Sequence, residues 1–483
     1  MQKGRRNDQH FSHPIDPKLC DLEDTRDLGV VRLLDYFADG VEEGHRLHQF
    51  EKYAIGTYGV PQALKKLSDE RRDPKIPTFA VVNGLLHAAV LRLPSLNDLE
   101  HQLETPEFQK LLGLRPRTSK RAFSADTMAD VLDTLDISKL EAAVVELVKK
   151  AERNKTFRDD TFGIFRCVAI DGWEPFCTYK RHCEGCLTRK VKRKVRNDEG
   201  ELVEERVTQY FHRFVVAFLI APKLDITLAI EPVLSSDLRE DHLTTKEARH
   251  EGELTAALRL IDRLHESYGR FIDAFALDGQ YPCGAVLTKL HKYRYGAFII
   301  TKNKGNDPYR FANEIWEIRG GPDSVERDPI TGEKVEFWEL DDVDALSSFD
   351  GSVKMLKAVV TRNNGKKNTW AMAIVGKARK AGRLMALRIM RSRWHIENTA
   401  FHQWVTKWNL DHCYRHTPNA ITAVMHIWML AFNLMQLFFY RRLRKPRHGR
   451  RSTDTIQAMV KDMFRDVAYL PTPVPWDALD DSS

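Results

Sequence analysis

Residues 210–234, YFHRFVVAFLIAPKLDITLAIEPVL, contain a strong strand pattern from which the fold of this chain can be predicted. The stretch holds two apolar runs rich in β-branched and aromatic residues, 210–221 and 226–234, joined by a short polar link. Runs of this length and composition predict two neighbouring strands. Because the link is short, we expect the two strands to pair antiparallel.

Further elements flank this pair on both sides. Upstream, residues 165–170 (FRCVAI) predict a strand that ends at Asp171-Gly172. Three strands with short links, followed by helical crossovers, predict an antiparallel start and parallel additions. That order is typical of a ribonuclease-H-like mixed sheet, so the predicted fold class is α/β. The downstream elements are a helix at 246–268, a strand at 271–277, a helix at 282–292 and a strand at 296–301.

The rest of the chain divides around this core. Capping signals at Ser95 and Ser138 predict an all-α N-terminal region. Turns between short strands predict a β-rich insertion, and one long helix is expected at 378–409. The predicted segments are a flexible N-terminus (1–26), a helical domain (27–155), the first part of the core (156–302), the β-rich insertion (303–376), the rest of the core with two helices (377–440) and a basic, then acidic tail (441–483).

Composition excludes several classes of protein. Hydrophobic residues make up 42% and aromatic residues 10% of the 483 positions, which excludes a mostly disordered chain. Seven cysteines in so long a chain do not form a disulfide scaffold, so we expect reduced thiols and an intracellular protein. The first residues lack the apolar core of a secretory signal.

One segment resembles a membrane span in composition. Residues 423–439 (AVMHIWMLAFNLMQLFF) are nearly all apolar. The stretch is at the short limit for a span and carries His426, Asn433 and Gln436. These features favour a buried helix of a globular domain, and we expect no membrane partner.

Carboxylates are the best candidates for chemistry, since the motifs of serine hydrolases, zinc proteases and P-loop proteins are absent from the sequence. Asp171 and Asp278 each end a predicted buried strand and precede glycine, where a cation can reach the carboxylate. The alternative is a simple turn, because Asp-Gly is a common turn dipeptide.

Glu397 is the third candidate. It lies at a core-facing position of the predicted long helix, and a buried carboxylate is costly unless it is paired or binds a metal. A salt bridge to Arg393, four residues earlier, is the alternative. Three converging carboxylates suit two Mg²⁺ ions about 4 Å apart that act on a phosphodiester. The apolar stripe around Glu397 consists of Leu387, Met390, Trp394, Phe401, Trp404 and Trp408.

Four motifs carry a resemblance to a known family. The run RWHIEN at 393–398, followed by WNLDH at 408–412, resembles the catalytic-glutamate helix of bacterial insertion-sequence transposases of the DDE class. The runs AIDG at 169–172 and LDGQY at 277–281 resemble their two aspartate strands. With its β-rich insertion, the chain is similar over residues 80–440 to the cut-and-paste group with a Tyr-Arg-Glu-Lys signature.

The resemblance implies a function and a set of site residues. It implies a DNA transposase that binds terminal inverted repeats, cleaves DNA strands and transfers them to target DNA. Asp171, Asp278 and Glu397 would hold two Mg²⁺ ions, for which Mn²⁺ can substitute, and Arg393 matches the signature arginine. Met390 and Trp404 occupy the signature tyrosine and lysine positions, so Lys407 is the expected substitute.

The same resemblance implies partners and a location. The partners would be double-stranded DNA, both element ends and target, and a second copy of the chain in a paired-end complex. The location would be the bacterial cytoplasm, at the nucleoid. Two alternatives remain open: a ribonuclease-H-like endonuclease without strand transfer, and a domesticated DNA-binding protein without catalysis.

Basic clusters agree with a DNA partner. Residues 179–196 and 441–451 are rich in Lys and Arg, which bind phosphates without regard to sequence, although such runs are also common on solvated surfaces. Short helices at a sharp turn within 27–155 also suit DNA binding. The predicted DNA-binding residues are Arg189, Lys190, Lys192, Arg193, Lys194, Lys407, Arg441 and Arg442.

A possible half zinc site lies inside the first cluster. Cys183 and Cys186 have CxxC spacing, and His182, Cys177 and His212 are possible partners. No second clear pair is present, so a reduced turn without metal is the alternative.

Overall fold

The computed structural model describes residues 45–117, 120–196, 202–238, 251–281, 283–301, 307–343, 349, 351–362, 364–443 and 453–468. The described residues form two compact units: those up to 150 together with those from 407 onwards, and those between 151 and 406. The predicted segment 1–26 and much of the predicted tail 441–483 lie outside the described residues.

The N-terminal part of the first unit is helical, as the capping signals predict. The Ser95 side chain accepts a hydrogen bond from the Asp98 N–H at 3.1 Å, so it caps a helix where the sequence predicts one. The helices are α1 (Arg46–Tyr53), followed by a π-helical turn (Ala54–Tyr58), α2 (Val60–Leu64), α3 (Thr78–Leu91), α4 (Leu96–Gln102), α5 (Pro106–Leu111), α6 (Ala125–Thr134) and α7 (Ile137–Arg153).

The sharp turn predicted within 27–155 lies at Leu135 and Asp136, between α6 and α7, but the predicted cap at Ser138 is wrong. The Asp136 carboxylate accepts hydrogen bonds from the N–H groups of Ser138 at 3.1 Å and Lys139 at 3.4 Å. Ser138 itself lies inside the first turn of α7, where its hydroxyl donates to Asp136 at 2.6 Å. A carboxylate one residue before the helix reaches these N–H groups better than a hydroxyl within it.

We expect Asp136→Ala to lower the free energy of unfolding by about 1 kcal/mol, because two helix N–H groups lose their acceptor. Ser138→Ala is the matched control and should cost only a few tenths of a kcal/mol. Urea denaturation of both variants measures the difference. A larger loss for Ser138→Ala would assign the cap to the serine.

Twelve strands are described, and most of them lie in the second unit's main sheet. They are β1 (Cys167–Trp173), β2 (Cys177–Thr178), β3 (Leu187–Arg196), β4 (Leu202–Phe211), β5 (Phe214–Ile220), β6 (Ile226–Pro232), β7 (Ala274–Leu277), β8 (Gly296–Ile300), β9 (Ser324–Arg327), β10 (Lys334–Val343), β11 (Val353–Thr361) and β12 (Lys367–Val375).

Nine of these strands form one mixed sheet in the order β6-β5-β1-β7-β8-β12-β11-β10-β9. β1 pairs antiparallel with β5, and β5 pairs antiparallel with β6. β7 adds parallel to β1, and β8 adds parallel to β7. The predicted antiparallel start and parallel additions are therefore confirmed, and the fold is a mixed α/β architecture.

The strand predicted at 210–221 is in fact two strands. β4 ends at Phe211 and belongs to a separate three-stranded sheet, ordered β2-β4-β3, whereas β5 begins at Phe214 in the main sheet. The apolar run continues across the junction because Phe211 and Phe214 are buried on either side of it. Hydrophobicity alone therefore does not reveal the change of sheet.

The predicted β-rich insertion extends the main sheet. β12 pairs antiparallel with β8, and β11, β10 and β9 follow outward. The segment also contains a helix that the sequence analysis missed, α10 (Asp307–Arg319). It packs over β10 to β12 and buries Trp316, so these strands have an apolar cover of their own.

Two helices between β6 and β8 in the chain pack against the main sheet. α8 (Glu253–Tyr268) packs on β5 and β6, and α9 (Gly284–Lys292) contacts α8 and β8. Both begin a little later than predicted, and residues 246–250 lie outside the described residues. Single 3₁₀ turns occur at Ser236–Leu238, Gly269–Phe271 and Gly376–Lys380.

The prediction of one continuous helix at 378–409 is wrong. α11 (Arg383–Ser392) ends before Arg393, a π-helical segment follows at Ile396–Phe401, and α12 (His402–Trp408) continues the chain. A π segment takes more residues per turn, so it shifts the face that points to the core. Arg393 and Trp394 lie at the break itself: Arg393 is only 2% exposed, whereas Trp394, predicted in the apolar stripe, is 38% exposed.

The apolar stretch predicted at 423–439 is a helix, α13 (Pro418–Leu437), continued by a π-helical turn (Phe438–Arg442). The combined helix is long and apolar enough to cross a membrane, but 94% of its most apolar window is buried inside the protein. It packs against α3 and α6. A last helix, α14 (Thr453–Val467), packs against α1. The expectation of a buried core helix is therefore met.

Candidate functional site

Asp171 lies in the middle of the main sheet. It is not beyond the end of its strand, as predicted, but inside β1, opposite Val216 of β5. Its Oδ1 accepts a hydrogen bond from the Gly172 N–H at 2.9 Å. The central position in the sheet removes most of the side chain from water.

Asp278 follows directly on β7, as predicted. β1 and β7 run parallel, and Ile170 lies opposite Leu277. The residues that come next in the two strands are Asp171 and Asp278. Parallel neighbours in register therefore bring the two carboxylates next to each other, near the C-terminal ends of β1 and β7.

The π-helical segment Ile396–Phe401 contacts β1 and brings Glu397 close to the two aspartates. The segment begins with Ile396, which is fully buried and anchors it. Glu397 itself is not in the core, contrary to its predicted position in an apolar stripe, because the break at Arg393 changes the phase of the helix. π-helical turns within helices are frequent at functional sites.

A single buried guanidinium joins the three carboxylates. Arg393 Nη1 lies 3.0 Å from Asp171 Oδ2, and Nη2 lies 3.2 Å from Glu397 Oε1 and 3.7 Å from Asp278 Oδ1. The side chains are 3% exposed for Arg393, 17% for Asp171, 35% for Glu397 and 45% for Asp278. The arginine therefore forms the closed floor of the cluster, while Asp278 and Glu397 open to solvent.

Burial has the largest effect on the ionisation of Asp171. Burial raises the pKa of Asp171 to about 6, and the nearby charges of Glu397 and Asp278 act in the same direction. The Arg393 guanidinium and the Gly172 N–H oppose the shift. An additional cation near the three carboxylates would therefore be stabilised.

The donor set suits a hard divalent cation. Carboxylate oxygens are the ligands that Mg²⁺ prefers, and Mg²⁺ usually binds only a few of them. Asp171, Asp278 and Glu397 offer such oxygens, and two of the three side chains can reach solvent. The salt bridge between Arg393 and Glu397, the alternative to a metal site, is present and shares its guanidinium with both aspartates.

Glu253 is a fourth carboxylate that the sequence analysis missed. It is the first residue of α8 and accepts hydrogen bonds from Tyr281 Oη at 2.9 Å and from Gln280 Nε2. It also lies against Gly172, where a Cβ would overlap the Glu253 carboxylate. Glu253 thus holds the loop after Asp278 beside β1. An acidic residue at a helix start is too common to signal this role.

The two signature positions that differ from the family pattern are both buried. Met390 is fully buried, and Trp404 packs edge-on against Trp173 with ring centroids 5.0 Å apart. Phe401 stacks on the same Trp173 at 5.9 Å. Met390 and Trp404 therefore support the helix packing behind the carboxylates and do not form part of a binding surface.

The predicted basic residues of β3 lie on the three-stranded sheet and are partly neutralised. Arg189 forms two hydrogen bonds with Glu174, at 2.6 and 2.9 Å, and Lys192 contacts Glu204 at 2.9 Å. The charges of residues 179–196 alone do not reveal these partners, because Glu174 and Glu204 lie outside this segment and Glu204 belongs to the neighbouring strand β4.

Three other cations of β3 form no ion pair with a carboxylate in the described part of the chain. Lys190 donates to the Thr208 hydroxyl at 2.5 Å, and Arg193 lies over the Tyr179 ring at 4.4 Å. Lys194 is exposed. The basic surface of this strand therefore consists mainly of Lys190, Arg193 and Lys194.

The remaining predicted basic residues belong to the first unit. Lys407 is half-buried in α12, and Arg441 and Arg442 are exposed at the end of the π-helical turn after α13. The other basic residues of 441–451 lie outside the described residues.

Comparison with known proteins gives a distant structural similarity and no family match. No protein-family model matches the chain, and no curated protein matches it. Among solved structures, the chain is similar to a piggyBac transposase in a synaptic complex with hairpin DNA, studied by cryo-EM. The TM-score is 0.37 and the identity 10%, over 94% of this chain and 84% of that chain. A similarity this low carries no functional argument by itself.

Proposed function

We propose that this protein is a DNA transposase of the DDE class. The observation that carries the proposal is the meeting of Asp171, Asp278 and Glu397 around the Arg393 guanidinium, near the C-terminal ends of β1 and β7. These residues are far apart in the sequence, and each lies in a motif that resembles a catalytic motif of insertion-sequence transposases. Convergence of the three motifs at one point is expected of an active site and not of three unrelated turns.

The order of the strands supports the same proposal. Along the chain, the first five strands of the main sheet are β1, β5, β6, β7 and β8. In space they are ordered β6-β5-β1-β7-β8, so the third strand lies at one side, followed by the second, first, fourth and fifth. The first three are antiparallel and the last two are parallel additions. This arrangement is the reason for proposing a ribonuclease-H-like core, with β9 to β12 as the insertion between Asp278 and Glu397.

In the proposed reaction Asp171, Asp278 and Glu397 would hold two Mg²⁺ ions, for which Mn²⁺ could substitute. Such ions would supply activation of the attacking oxygen and stabilisation of the leaving oxygen. The chain itself positions the carboxylates through the register of β1 and β7. Arg393 limits their mutual repulsion and has the planar geometry that binds phosphate oxygens.

The proposed partners follow from the reaction. The substrate is double-stranded DNA, namely the terminal inverted repeats of the element and a target. Arg189, Lys190, Lys192, Arg193 and Lys194, with Lys407, Arg441, Arg442 and the helical region, would bind its phosphates. Two copies of the chain would hold the two ends in a paired complex, at the nucleoid in the bacterial cytoplasm.

The two groups of basic residues on β3 should contribute unequally to DNA binding. Replacing Lys190, Arg193 and Lys194 together by alanine should reduce the slope of log affinity against log salt by about one unit per lost phosphate contact. The matched control, Arg189→Ala with Lys192→Ala, removes residues that already have carboxylate partners and should change the slope less. Titration of labelled DNA at several salt concentrations measures both slopes. An unchanged slope for the triple variant would mean that β3 does not contact DNA.

A strand-transfer assay tests the proposed function. The purified chain is incubated with end-labelled DNA from both sides of its own gene, a supercoiled target plasmid and Mg²⁺, with EDTA as the control. We expect metal-dependent cleavage at defined ends and joining of the labelled 3′ ends to the plasmid. Cleavage without joining would identify an endonuclease, and binding without cleavage would identify a non-catalytic DNA-binding protein. Either result would overturn the proposal.

A further inference from the structure

The three-stranded sheet has little apolar material to hold it together. Of the described positions in β3, only Leu187 is buried, and most of the strand is exposed and charged. β2 has only two residues, Cys177 and Thr178. A small, polar sheet of this kind usually needs a disulfide or a metal to be stable.

The register of this sheet brings two potential metal ligands together. In the β3–β4 pair, Leu187 lies opposite Phe211. Cys186 comes directly before Leu187, and His212 comes directly after Phe211. Antiparallel pairing therefore sets Cys186 and His212 next to each other at the open end of the pair.

Cys183 joins them through a tight turn. The Cys186 N–H donates to the Cys183 carbonyl at 3.0 Å, and the Cys183 N–H donates to Cys186 Sγ at 3.4 Å. This turn directs both thiols to the same side. Cys186 and His212 are buried, and Cys183 is half-buried.

The distances between the ligand atoms fit one tetrahedral ion. The two Sγ atoms are 3.8 Å apart, and each lies 3.4 Å from His212 Nε2. A zinc ion with Zn–S of about 2.3 Å and Zn–N of about 2.0 Å separates tetrahedral ligands by roughly 3.5 to 3.8 Å. The two sulfurs are too far apart for a disulfide, whose S–S bond is about 2.05 Å.

We propose that Cys183, Cys186 and His212 bind a structural zinc ion that holds together the open end of the β3–β4 pair. The other candidates from the sequence have different partners: Cys177 Sγ accepts a hydrogen bond from Gln209 at 3.0 Å, and His182 stacks on Tyr210 at 4.8 Å. The fourth ligand comes from outside these three residues. The proposal does not depend on the proposed DNA chemistry, because it rests on a different group of side chains.

Metal content tests the proposal on the full-length protein. Elemental analysis of protein purified without added metal should give about one zinc per chain, and a chelator with a thiol-blocking reagent should release it. Cys183→Ser, Cys186→Ser and His212→Ala should each lower the content at least fivefold. Cys177→Ser in β2 and His182→Gln in the loop between β2 and β3 are matched controls and should keep the zinc. Unchanged zinc in the three ligand variants, or no zinc in the wild type, would overturn the proposal.

Cobalt substitution keeps the test decisive if a variant folds poorly. Co²⁺ in a site with two thiolates gives visible d–d bands and a thiolate charge-transfer band in the near ultraviolet. The wild type should show both, and Cys183→His, which keeps a metal ligand, should retain the d–d bands with a weaker charge-transfer band. A wild-type spectrum without charge transfer would exclude thiolate ligation. Single histidine-to-alanine variants, followed by zinc content, then identify the fourth ligand.

Discussion

Asp171→Asn should reduce DNA cleavage by at least roughly a thousandfold, which corresponds to about 4 kcal/mol in the barrier. The substitution keeps the shape of the side chain but removes the negative charge that a Mg²⁺ ligand provides. DNA affinity should change little, because the proposed phosphate contacts lie elsewhere. Asp278→Asn and Glu397→Gln should behave in the same way. Cleavage of labelled end DNA in Mg²⁺ and a gel-shift titration in EDTA measure the two properties separately.

Asp273→Asn is the matched control. Asp273 lies just before β7, at the opposite end of the strand from Asp278, and accepts a hydrogen bond from the Arg166 N–H at 3.0 Å. Its variant should retain cleavage, although it removes a carboxylate charge from the same strand. If a variant of Asp171, Asp278 or Glu397 cleaves at nearly the wild-type rate, that residue is not a metal ligand.

The second large effect concerns the guanidinium at the floor of the cluster. Arg393→Met should lower the free energy of unfolding in metal-free protein by about 3 kcal/mol, the lower end of the range for breaking a buried ion pair. The reason is that three carboxylates then face one another without a cation. Mg²⁺ should restore part of the stability, because a cation that binds the folded state replaces the lost charge. Thermal and urea unfolding, each with and without Mg²⁺, measure the effect.

Arg391→Met provides the control for this measurement. Arg391 lies in α11 and forms a 2.8 Å ion pair with Glu333, away from the three carboxylates. Its partial exposure predicts a loss of about 1 kcal/mol or less, independent of Mg²⁺. If Mg²⁺ fails to reduce the loss in Arg393→Met, the three carboxylates do not bind the metal in the folded protein, and the proposed active site is wrong.

The strands of the main sheet could be predicted because they are short apolar runs between turn residues. β1, β5, β6, β7 and β8 all lie within or next to the predicted ranges. Their order could be predicted as well, because short links favour antiparallel pairing and helical crossovers favour parallel pairing. Two of the three carboxylates depend only on this order, so Asp171 and Asp278 could be placed near each other from the sequence.

The surroundings of Glu397 could not be predicted. The sequence predicts one helical period through residues 387–408. The helix instead ends at Ser392 and a π-helical segment follows at Ile396–Phe401, and no local sequence pattern marks either change. Helical phase therefore assigned Trp394 to the core, but the structure buries Arg393 instead. The charge pairing of β3 was missed for a related reason, since its partner Glu204 is distant in sequence and comes close only through the hairpin.

The register of β1 has a consequence for how active protein should be measured. β1 pairs with β5 so that Asp171 lies opposite Val216, and with β7 so that Ile170 lies opposite Leu277. Because successive side chains of a strand point to opposite faces, a slip of one residue would turn Asp171 to the other face of the sheet. A chain with misaligned strands would then have no carboxylate cluster at all, not a weakened one. In a refolded preparation, the number of active molecules would therefore equal the number of chains with correctly aligned strands. The turnover rate of each active molecule would stay the same.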